Sequence, residues 1–354
     1  MKRTVAFLTP DLSIGGVEKV FLDYANALSL ENYKVSFILV HKRGTLLSEL
    51  YSEVSILELQ GERLRYVFFS LVKLLKNKKF DYVVAGTEKT NVLIYLANIM
   101  AGKPSKVVTS QHNFMDIESS SFIHKHILPY VLKHSYFTFA VSNGIKQMLL
   151  DMGISDRKID VLYNPMNIKK IREQADEKIT MKLPLKYILF IGRFYPVKNI
   201  PLLLKSFQVF SNNISDYKLV MVGDGQQKQM LMDLANDLGV ANSIIWVGAT
   251  NNPYPYIKNA SIVALTSFSE SLSNVVLESI CLGKTVVTTP CKGPIEVLKN
   301  GKYGYITDSH TDVKSFVDVL VKASKEKKDS EVLMHYANGY DLAVSLSKLK
   351  CILS

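Results

Sequence analysis

The chain has 354 residues, of which 47% are hydrophobic and 21% charged, and its mean hydropathy is +0.10. This length corresponds to about two domains of roughly 100–200 residues, each large enough to bury a hydrophobic core. Eighteen Gly, 11 Pro and 10% aromatic residues exclude a collagen-like, low-complexity or disordered chain.

Cysteines, apolar stretches and charge narrow the class of protein further. Three cysteines (Cys281, Cys291 and Cys351) lie far from any Cys-x-x-Cys spacing, which favours a reducing compartment over a disulfide scaffold or structural zinc. The apolar stretch before Pro10 is too short for a signal peptide, and none approaches about 18 residues, so we expect a soluble or peripheral protein. A net charge of +11 favours anionic partners: phosphate esters, nucleic acid or acidic membrane.

The first half of the chain alternates short apolar runs with helical periodicity. Runs rich in β-branched residues predict buried strands over Thr4–Leu8, Val35–Val40, Ser55–Leu59, Tyr82–Gly86, Lys106–Ser110, Tyr136–Val141 and Lys158–Leu162. Between the first two, Val17–Leu28 has the apolar spacing of an amphipathic helix. Strands that alternate with helices predict a parallel, doubly wound sheet.

A second series of the same kind follows a charged stretch without strands, residues 172–186. Its predicted strands are Tyr187–Gly192, Leu219–Gly223, Ile244–Val247, Ile262–Thr266, Thr285–Thr289 and Tyr303–Ile306. We therefore expect two Rossmann-like α/β domains, residues 1–175 and 183–335, which face a central cleft. The helical pattern at the C-terminus, residues 340–354, could pack back on the first domain.

Ligands of doubly wound sheets bind beyond the carboxyl ends of the strands, so residues that follow strands are the candidates. Gly15 and Gly16 follow the first strand and precede a helix, where backbone N–H groups attract anions. In the second domain, Gly192 and Arg193 follow the first strand, and Lys198 precedes the next helix. Arg193 offers a planar fork to phosphate oxygens. Each stretch alone is also compatible with an ordinary loop.

Gly223, in the turn Gly223-Asp224-Gly225, repeats this strand–turn–helix arrangement more weakly, and as a turn it needs no function.

The most specific stretch runs from Ser269 to Glu278, just after the predicted strand Ile262–Thr266. A helix is expected to begin near Asn274, which leaves Glu270 on the loop before it and Glu278 about one turn inside it. Exposed N–H groups around Ser273 to Val275 could hold a diphosphate. Taken singly, either glutamate could be a solvated or helix-favouring acid.

Taken together, the motifs resemble those of retaining family 4 glycosyltransferases with the GT-B architecture, over essentially the whole chain. The motifs are Gly15-Gly16-Val17-Glu18-Lys19, Gly192-Arg193 with Lys198-Asn199, Val222-Gly223-Asp224-Gly225, and Glu270-x(7)-Glu278. The first half, with Tyr163-Asn164-Pro165, is most similar to bacterial enzymes that build lipid-linked surface or N-linked glycans.

The resemblance implies a role for each residue. Arg193 and Lys198 would hold the donor diphosphate, Glu278 the ribose, and Glu270 the donor sugar with its developing positive charge. Gly16 would let the loop approach the β-phosphate, and His112 would approach the donor sugar, although a structural loop histidine is an alternative. The implied donor-binding set is Gly15, Gly16, Gly192, Arg193, Lys198, Gly223, Ser271, Leu272, Ser273, Asn274, Val275 and Glu278, and the implied catalytic set is Glu270, His112, Arg193 and Lys198.

One departure concerns the sugar pocket. The family usually has Gly after the first Glu and often Pro two positions later, where this chain has Ser271 and Ser273. Their backbone N–H groups remain available, so the departure bears on the identity of the donor sugar rather than on activity.

No metal and no cofactor is expected. The chain contains no Asp-x-Asp, and its Asp-x-Glu triplets at Asp116 and Asp329 lie away from the other motifs. Arg193, Lys198 and helix N-termini would supply the positive charge instead.

The predicted function is transfer of a hexose or N-acetylhexosamine, with retention, from a nucleoside diphosphate sugar to a hydroxyl of a glycan acceptor. The expected donors are UDP-sugars, and GDP-mannose remains an alternative donor. The predicted acceptor is carried on a polyprenyl diphosphate during bacterial surface polysaccharide assembly. A nucleotide-sugar epimerase on the same fold remains an alternative. A basic nucleic-acid-binding protein is another, although no nucleic-acid-binding signature supports it.

A basic stretch of the first domain predicts where the acceptor is met. Residues 60–150 contain twelve Lys or Arg against five Asp or Glu, and bulky apolar residues occur beside the basic ones at 63–79 and 122–130. Two ordinary helices with solvated basic faces would give the same pattern. The functional interpretation is a surface that contacts anionic lipid on the inner face of the cytoplasmic membrane.

Overall fold

The computed structural model describes residues 2–13, 15–59, 66–115, 123–179 and 181–354, except for the side chains of residues 123 and 124. These residues fold into two compact units, residues 1–165 with 342–354, and residues 166–341. Their strands are β1 (Arg3–Thr9), β2 (Tyr33–Leu39), β3 (Ser55–Glu58), β4 (Tyr82–Ala85), β5 (Lys106–Gln111), β6 (Phe137–Ala140), β7 (Ile159–Val161), β8 (Tyr187–Ile191), β9 (Lys218–Val222), β10 (Ile244–Gly248), β11 (Ile262–Leu265), β12 (Val286–Thr288) and β13 (Tyr305–Ile306).

Helices connect the strands in both units. They are α1 (Gly16–Ser29), α2 (Phe68–Asn77), α3 (Glu88–Met100), α4 (Leu128–His134), α5 (Asn143–Asp151), α6 (Ile168–Gln174), α7 (Ile200–Asn213), α8 (Lys228–Asp237), α9 (Tyr254–Asn259), α10 (Asn274–Cys281), α11 (Lys292–Val297), α12 (Val313–Lys325), α13 (Ser330–Ala337) and α14 (Leu342–Ile352). In this part of the chain, no helix is both long enough and apolar enough to span a bilayer.

The first unit is built on a parallel sheet in which seven described strands lie in the order β3-β2-β1-β4-β5-β6-β7. The central strands are apolar on both faces because helices cover both faces. Phe7 and Phe37 belong to the core on one face, whereas Leu8 and Ile38 belong to the core on the other. Every predicted strand of this half overlaps an observed one, with ends that differ by one or two residues.

The second unit contains a parallel sheet whose six described strands lie in the order β10-β9-β8-β11-β12-β13. Its predicted strands also overlap the observed ones. The largest difference is at β13, which begins at Tyr305 rather than Tyr303 because its pairing with β12 involves only Tyr305 and Ile306. Two Rossmann-like parallel sheets confirm the predicted α/β fold class.

The first unit ends earlier along the chain than the predicted boundary. Residues 166–175, expected in the first domain, belong to the second unit because α6 packs against α9 and α10. At the other end, α14 lies in the first unit and packs against α1, with Leu346 and Leu349 in the core beside β1 and β2.

Candidate active site

Four loops of the second unit interlock at the carboxyl edge of its sheet. The loop between β8 and α7 contacts the loop after β9 through Phe194, whose N–H donates to Asp224 O at 2.9 Å. The same loop contacts the segment after β11 through Phe268 N–H, which donates to Val197 O at 2.8 Å. Asn199 Nδ2 donates to His310 O, in the loop after β13, at 2.7 Å. These contacts fix the positions of side chains from distant parts of the sequence.

Gly223 is required by this close approach. Its φ is 138°, and a Cβ at this position would lie 1.9 Å from Gly192 O. Any other residue would therefore separate the two loops that carry Arg193 and Asp224.

The Lys198 and Glu270 side chains form an ion pair at this edge. Lys198 Nζ lies 2.5 Å from Glu270 Oε1, and the side chains are 26% and 12% exposed. Partial burial makes such a pair stronger than one in open solvent, since water screens it less. The two residues were predicted to face the same ligand, but their direct contact was not predicted.

The turn that carries Glu270 rests on the loop after β12. Gly293 N–H donates to Glu270 O at 3.0 Å, and a Cβ on Gly293 would lie 2.6 Å from the carbonyl of Ser271. Gly293 was not among the predicted site residues. The sequence signal that could have identified Gly293 is its position five residues after β12, beside Pro294.

Helix α10 begins at Asn274, as predicted, and Ser273 is its N-cap residue. Glu278 therefore lies on the second turn, where Tyr254 Oη donates to Glu278 Oε1 at 3.4 Å. The side chain of Ser273 makes no capping hydrogen bond, and the Leu277 N–H donates to Ser273 O at 3.2 Å. Leu272 and Ser273 are buried, whereas Ser271, Asn274 and Val275 are half-buried.

Arg193 is exposed, and its guanidinium lies 5.5 Å from the centre of the Tyr195 ring. A guanidinium over an aromatic face retains donors in its plane for hydrogen bonds to an oxyanion.

The first unit carries the other predicted residues, Gly15, Gly16 and His112. Gly15 is the N-cap residue of α1, and a Cβ there would meet Glu18 Oε2. Gly16 is exposed, and a Cβ there would have no neighbour within 4 Å among the residues that the structure describes. Packing among those residues therefore gives no reason for glycine at position 16.

His112 directly follows β5, and its Nε2 lies 2.9 Å from Ser110 Oγ. It lines a small pocket together with Ser110 and the apolar side chains of Phe7, Phe21 and Phe139. Burial lowers the pKa of His112 to about 4, so the imidazole is neutral at neutral pH.

The second unit thus brings together loops bearing Gly192, Arg193, Lys198, Gly223, Glu270 and the start of α10. Ser267, Thr289, Cys291 and His310, which sequence reasoning missed, surround the same turn. All follow strands, but Ser, Thr and Cys in loops give no distinctive pattern.

Within the described ranges, no group of three or more His, Cys, Asp or Glu residues could hold a metal ion. Asp329 caps α13, since its side chain accepts from Val332 N–H, whereas the triplet at 116–118 lies outside the described residues.

Family comparisons agree with this arrangement. A family model described as Glycosyltransferase Family 4 matches residues 14–170, and one described as Glycosyl transferases group 1 matches residues 171–339.

Individual proteins are similar along nearly the whole chain. A Campylobacter jejuni protein named GalNAc-alpha-(1->4)-GalNAc-alpha-(1->3)-diNAcBac-PP-undecaprenol alpha-1,4-N-acetyl-D-galactosaminyltransferase is 28% identical over 367 residues, which cover 98% of this chain and 93% of that protein. A second, the N-acetylgalactosamine-N,N'-diacetylbacillosaminyl-diphospho-undecaprenol 4-alpha-N-acetylgalactosaminyltransferase of the same organism, is 27% identical over 92% of this chain and 89% of its own length. The crystal structure of Anabaena HepE in complex with UDP-glucose superposes with a TM-score of 0.82 at 17% identity, over 99% of each chain.

The two family models together span residues 14–339, and the strand order and neighbouring structures give the same architecture. The chain therefore belongs to glycosyltransferase family 4 and has the GT-B fold.

Proposed function

We propose that this glycosyltransferase moves a hexose or N-acetylhexosamine from a UDP-sugar to a hydroxyl of a glycan carried on a polyprenyl diphosphate, during bacterial surface polysaccharide assembly. The Lys198–Glu270 pair beside the start of α10 is the observation that carries the proposal. It sets a cation for the diphosphate next to a carboxylate for the sugar. The names of the two Campylobacter relatives, which contain diphospho- or PP-undecaprenol, support a lipid-linked acceptor.

The second unit supplies the charge for donor binding. Arg193 and Lys198 hold the diphosphate, and the amides of Ser271 to Val275 add N–H donors at the start of α10. Gly192, Gly223 and Leu272 shape the backbone around it, and Glu278 accepts hydrogen bonds from the ribose. Lys198 has three N–H donors, so it can contact a phosphate oxygen while it keeps Glu270 in place.

Transfer breaks the bond between the anomeric carbon and the β-phosphate oxygen. The acceptor hydroxyl oxygen bonds to the same face of that carbon, and its proton passes to an oxygen of the departing diphosphate. Arg193 and Lys198 stabilise the negative charge on the leaving group, which is the largest electrostatic contribution available here. Glu270 stabilises the positive charge that develops on the sugar. This scheme retains configuration and needs no metal.

The first unit supplies neutral contacts to the donor. Gly16 leaves open space for the β-phosphate, since a Cβ at this position meets nothing within 4 Å. His112 is held by Ser110 and is neutral, so it offers a hydrogen bond to the sugar without adding charge.

The acceptor is met on a face formed by α2, α3 and α4, which we call the α2–α4 face. These helices pack side by side, and they expose Phe69 (71%), Met100 (52%) and Tyr130 (54%). Several apolar residues of the predicted interfacial stretch are instead buried core residues, including Leu71 and Leu128. The exposed set is therefore smaller than predicted, and residues 63, 65 and 122 lie outside the described ranges.

The α2–α4 face also carries exposed lysines. Lys73 and Lys76 lie in α2, Lys78 and Lys79 follow its C-terminal end, and all four are exposed. Aromatic insertion together with about 1 kcal/mol per basic residue near anionic lipid would hold this face on the inner surface of the cytoplasmic membrane.

Liposome binding tests the α2–α4 face. The wild type should bind vesicles rich in anionic phospholipid at low salt, and changing Lys73, Lys76, Lys78 and Lys79 to Ser should weaken binding at least tenfold. The matched control changes four exposed lysines of the second unit, Lys182, Lys314, Lys325 and Lys327, to Ser. Equal loss in both variants, or equal binding to neutral vesicles, would contradict the assignment of this face.

Donor and acceptor assays test the reaction itself. Melting temperature should rise most with UDP and UDP-sugars among UDP, GDP, ADP and their sugars, because a ligand that binds the native state stabilises it. Sugar should then pass to a polyprenyl-diphosphate-linked acceptor with retained configuration. Conversion of the donor to its epimer without an acceptor would replace the proposal.

A further inference from the structure

The side chain of Ser267 contacts Glu270, and its backbone carbonyl contacts residues of two neighbouring loops. It follows β11 by two residues and is 1% exposed. Its hydroxyl donates to Glu270 Oε1 at 2.8 Å, the same oxygen that Lys198 contacts. Neither of these two contacts involves the other carboxylate oxygen, Oε2.

The backbone carbonyl of Ser267 is held from two neighbouring loops. It accepts from Thr289 Oγ1 at 2.6 Å and from Cys291 Sγ at 3.0 Å, both after β12. His310 Nδ1, in the loop after β13, lies 3.1 Å away. Since a carbonyl can only accept, His310 carries a proton on Nδ1.

Two of these donors, Cys291 and Thr289, persist across neutral pH. Burial raises the pKa of the Cys291 thiol to about 11, so it stays protonated and can donate. Thr289 is fully buried, so its hydroxyl is shielded from bulk solvent.

From this geometry we infer that Ser267 is a positioning residue: it fixes the Glu270 carboxylate with Oε1 turned to Lys198 and Oε2 free for a hydroxyl of the donor sugar. The inference rests on the proposed function of Glu270 and adds how its orientation is set.

The physical reason is the freedom of the last glutamate torsion. This torsion is broad and roughly two-fold, so Lys198 alone could be satisfied by either oxygen. A second donor on the same oxygen selects one orientation, and rigid neighbours hold that donor in place. Reaction rate is sensitive to such preorganisation, since misplacement by about 1 Å can cost about 10²-fold.

Ser267→Ala tests the inference with little structural disturbance. It removes only the hydroxyl and keeps the carbonyl, so the contacts of Thr289, Cys291 and His310 remain. We expect kcat to fall about tenfold, with the donor KM within twofold of wild type. The acid limb of the kcat profile should move up by about one pH unit, because the carboxylate loses a hydrogen bond that favours its charged form.

Two further variants sharpen the result. Ser269→Ala, at an exposed serine of the same turn, should leave kcat and the acid limb at wild-type values. Ser267→Thr keeps the hydroxyl and should restore both. If the added methyl prevents folding, the acid limb of Ser267→Ala decides alone.

The outcomes separate the two proposals. Wild-type kcat and acid limb in Ser267→Ala, beside an inactive Glu270→Gln, would overturn the positioning role and leave the proposed function intact. A lower kcat with an unmoved acid limb would also overturn it, because Ser267 would then act only through packing. A fully active Glu270→Gln would instead remove the proposed role of Glu270.

Discussion

The carboxyl edges of the two sheets have the same topology and different chemistry. In the second unit this edge is charged and interlocked: Lys198 pairs with Glu270, and four loops exchange hydrogen bonds. In the first unit the corresponding edge presents an open Gly16 and a neutral His112 above apolar side chains.

Under the proposed function, this difference is a division of labour between two similar folds. An anionic leaving group needs fixed positive charge, and the proposal assigns that charge to the interlocked loops of the second unit. A neutral surface that admits a phosphate or a sugar needs only space and one hydrogen bond. Space and a single hydrogen bond do not require a network of interlocking loops.

Removing the charged pair should have the largest effect. Glu270→Gln should lower kcat about 10²-fold, or about 2.7 kcal/mol, while nucleotide binding is retained. Lys198→Ala should weaken both donor binding and turnover, and it should also destabilise the fold by about 1–3 kcal/mol because Glu270 loses its cationic partner. Steady-state kinetics and urea unfolding provide the measurements.

The double variant Lys198→Ala/Glu270→Gln separates stability from activity. It should regain most of the lost stability, since the uncompensated carboxylate is gone, but it should stay inactive. If Glu270→Gln transfers sugar at the wild-type rate, the charged edge is not the reaction centre.

Filling the open space at Gly16 should have the next largest effect. Gly16→Ala should raise the donor KM about tenfold, equivalent to about 1.4 kcal/mol, and leave the melting temperature unchanged. Gly339→Ala is the matched control, because a Cβ there also meets nothing within 4 Å. Equal kinetics in the two variants would show that no ligand approaches Gly16.

The neutral histidine of the first unit should produce a smaller effect, visible in the pH dependence of stability. Because the native pKa of His112 is about 4, the unfolded state alone binds a proton between about pH 6.5 and pH 4. The free energy of unfolding should therefore fall as the pH is lowered, with a slope of at most about 1.4 kcal/mol per pH unit from this group.

Urea unfolding at pH 7, 6 and 5 measures that slope. His112→Gln should reduce it, whereas the same change at the exposed His134 should leave it as in wild type. An unchanged slope in His112→Gln would show that the imidazole is protonated as easily in the native chain as in the unfolded one.

Chelation should have no effect. If Arg193 and Lys198 supply the compensating charge, turnover in EDTA should equal turnover in buffer. Loss on chelation, restored by Mg²⁺ or Mn²⁺, would mean that the charged edge is incomplete without a divalent ion.

Much of the fold follows from local pattern. Central parallel strands are buried on both faces, so each appears as a short apolar run, and turns and helices separate them. The boundary between the two units could not be predicted from local pattern. The helical pattern of α6 is compatible with either domain, and its long-range packing against α9 and α10 assigns it to the second unit.

The sequence alone determined that the loops after parallel strands lie at the carboxyl edges of the sheets. This placed Gly15, Gly16, Arg193, Lys198 and Glu270 at those edges, whereas His112 and the role of Glu278 came from the family resemblance. Only the tertiary structure decided which of them touch. Lys198 and Glu270 are 72 positions apart, and Ser267 meets Thr289, Cys291 and His310 from 22, 24 and 43 positions away. Such contacts form because loops that follow different strands come close together in the folded chain. The periodicity of the sequence does not predict which of these loops are in contact.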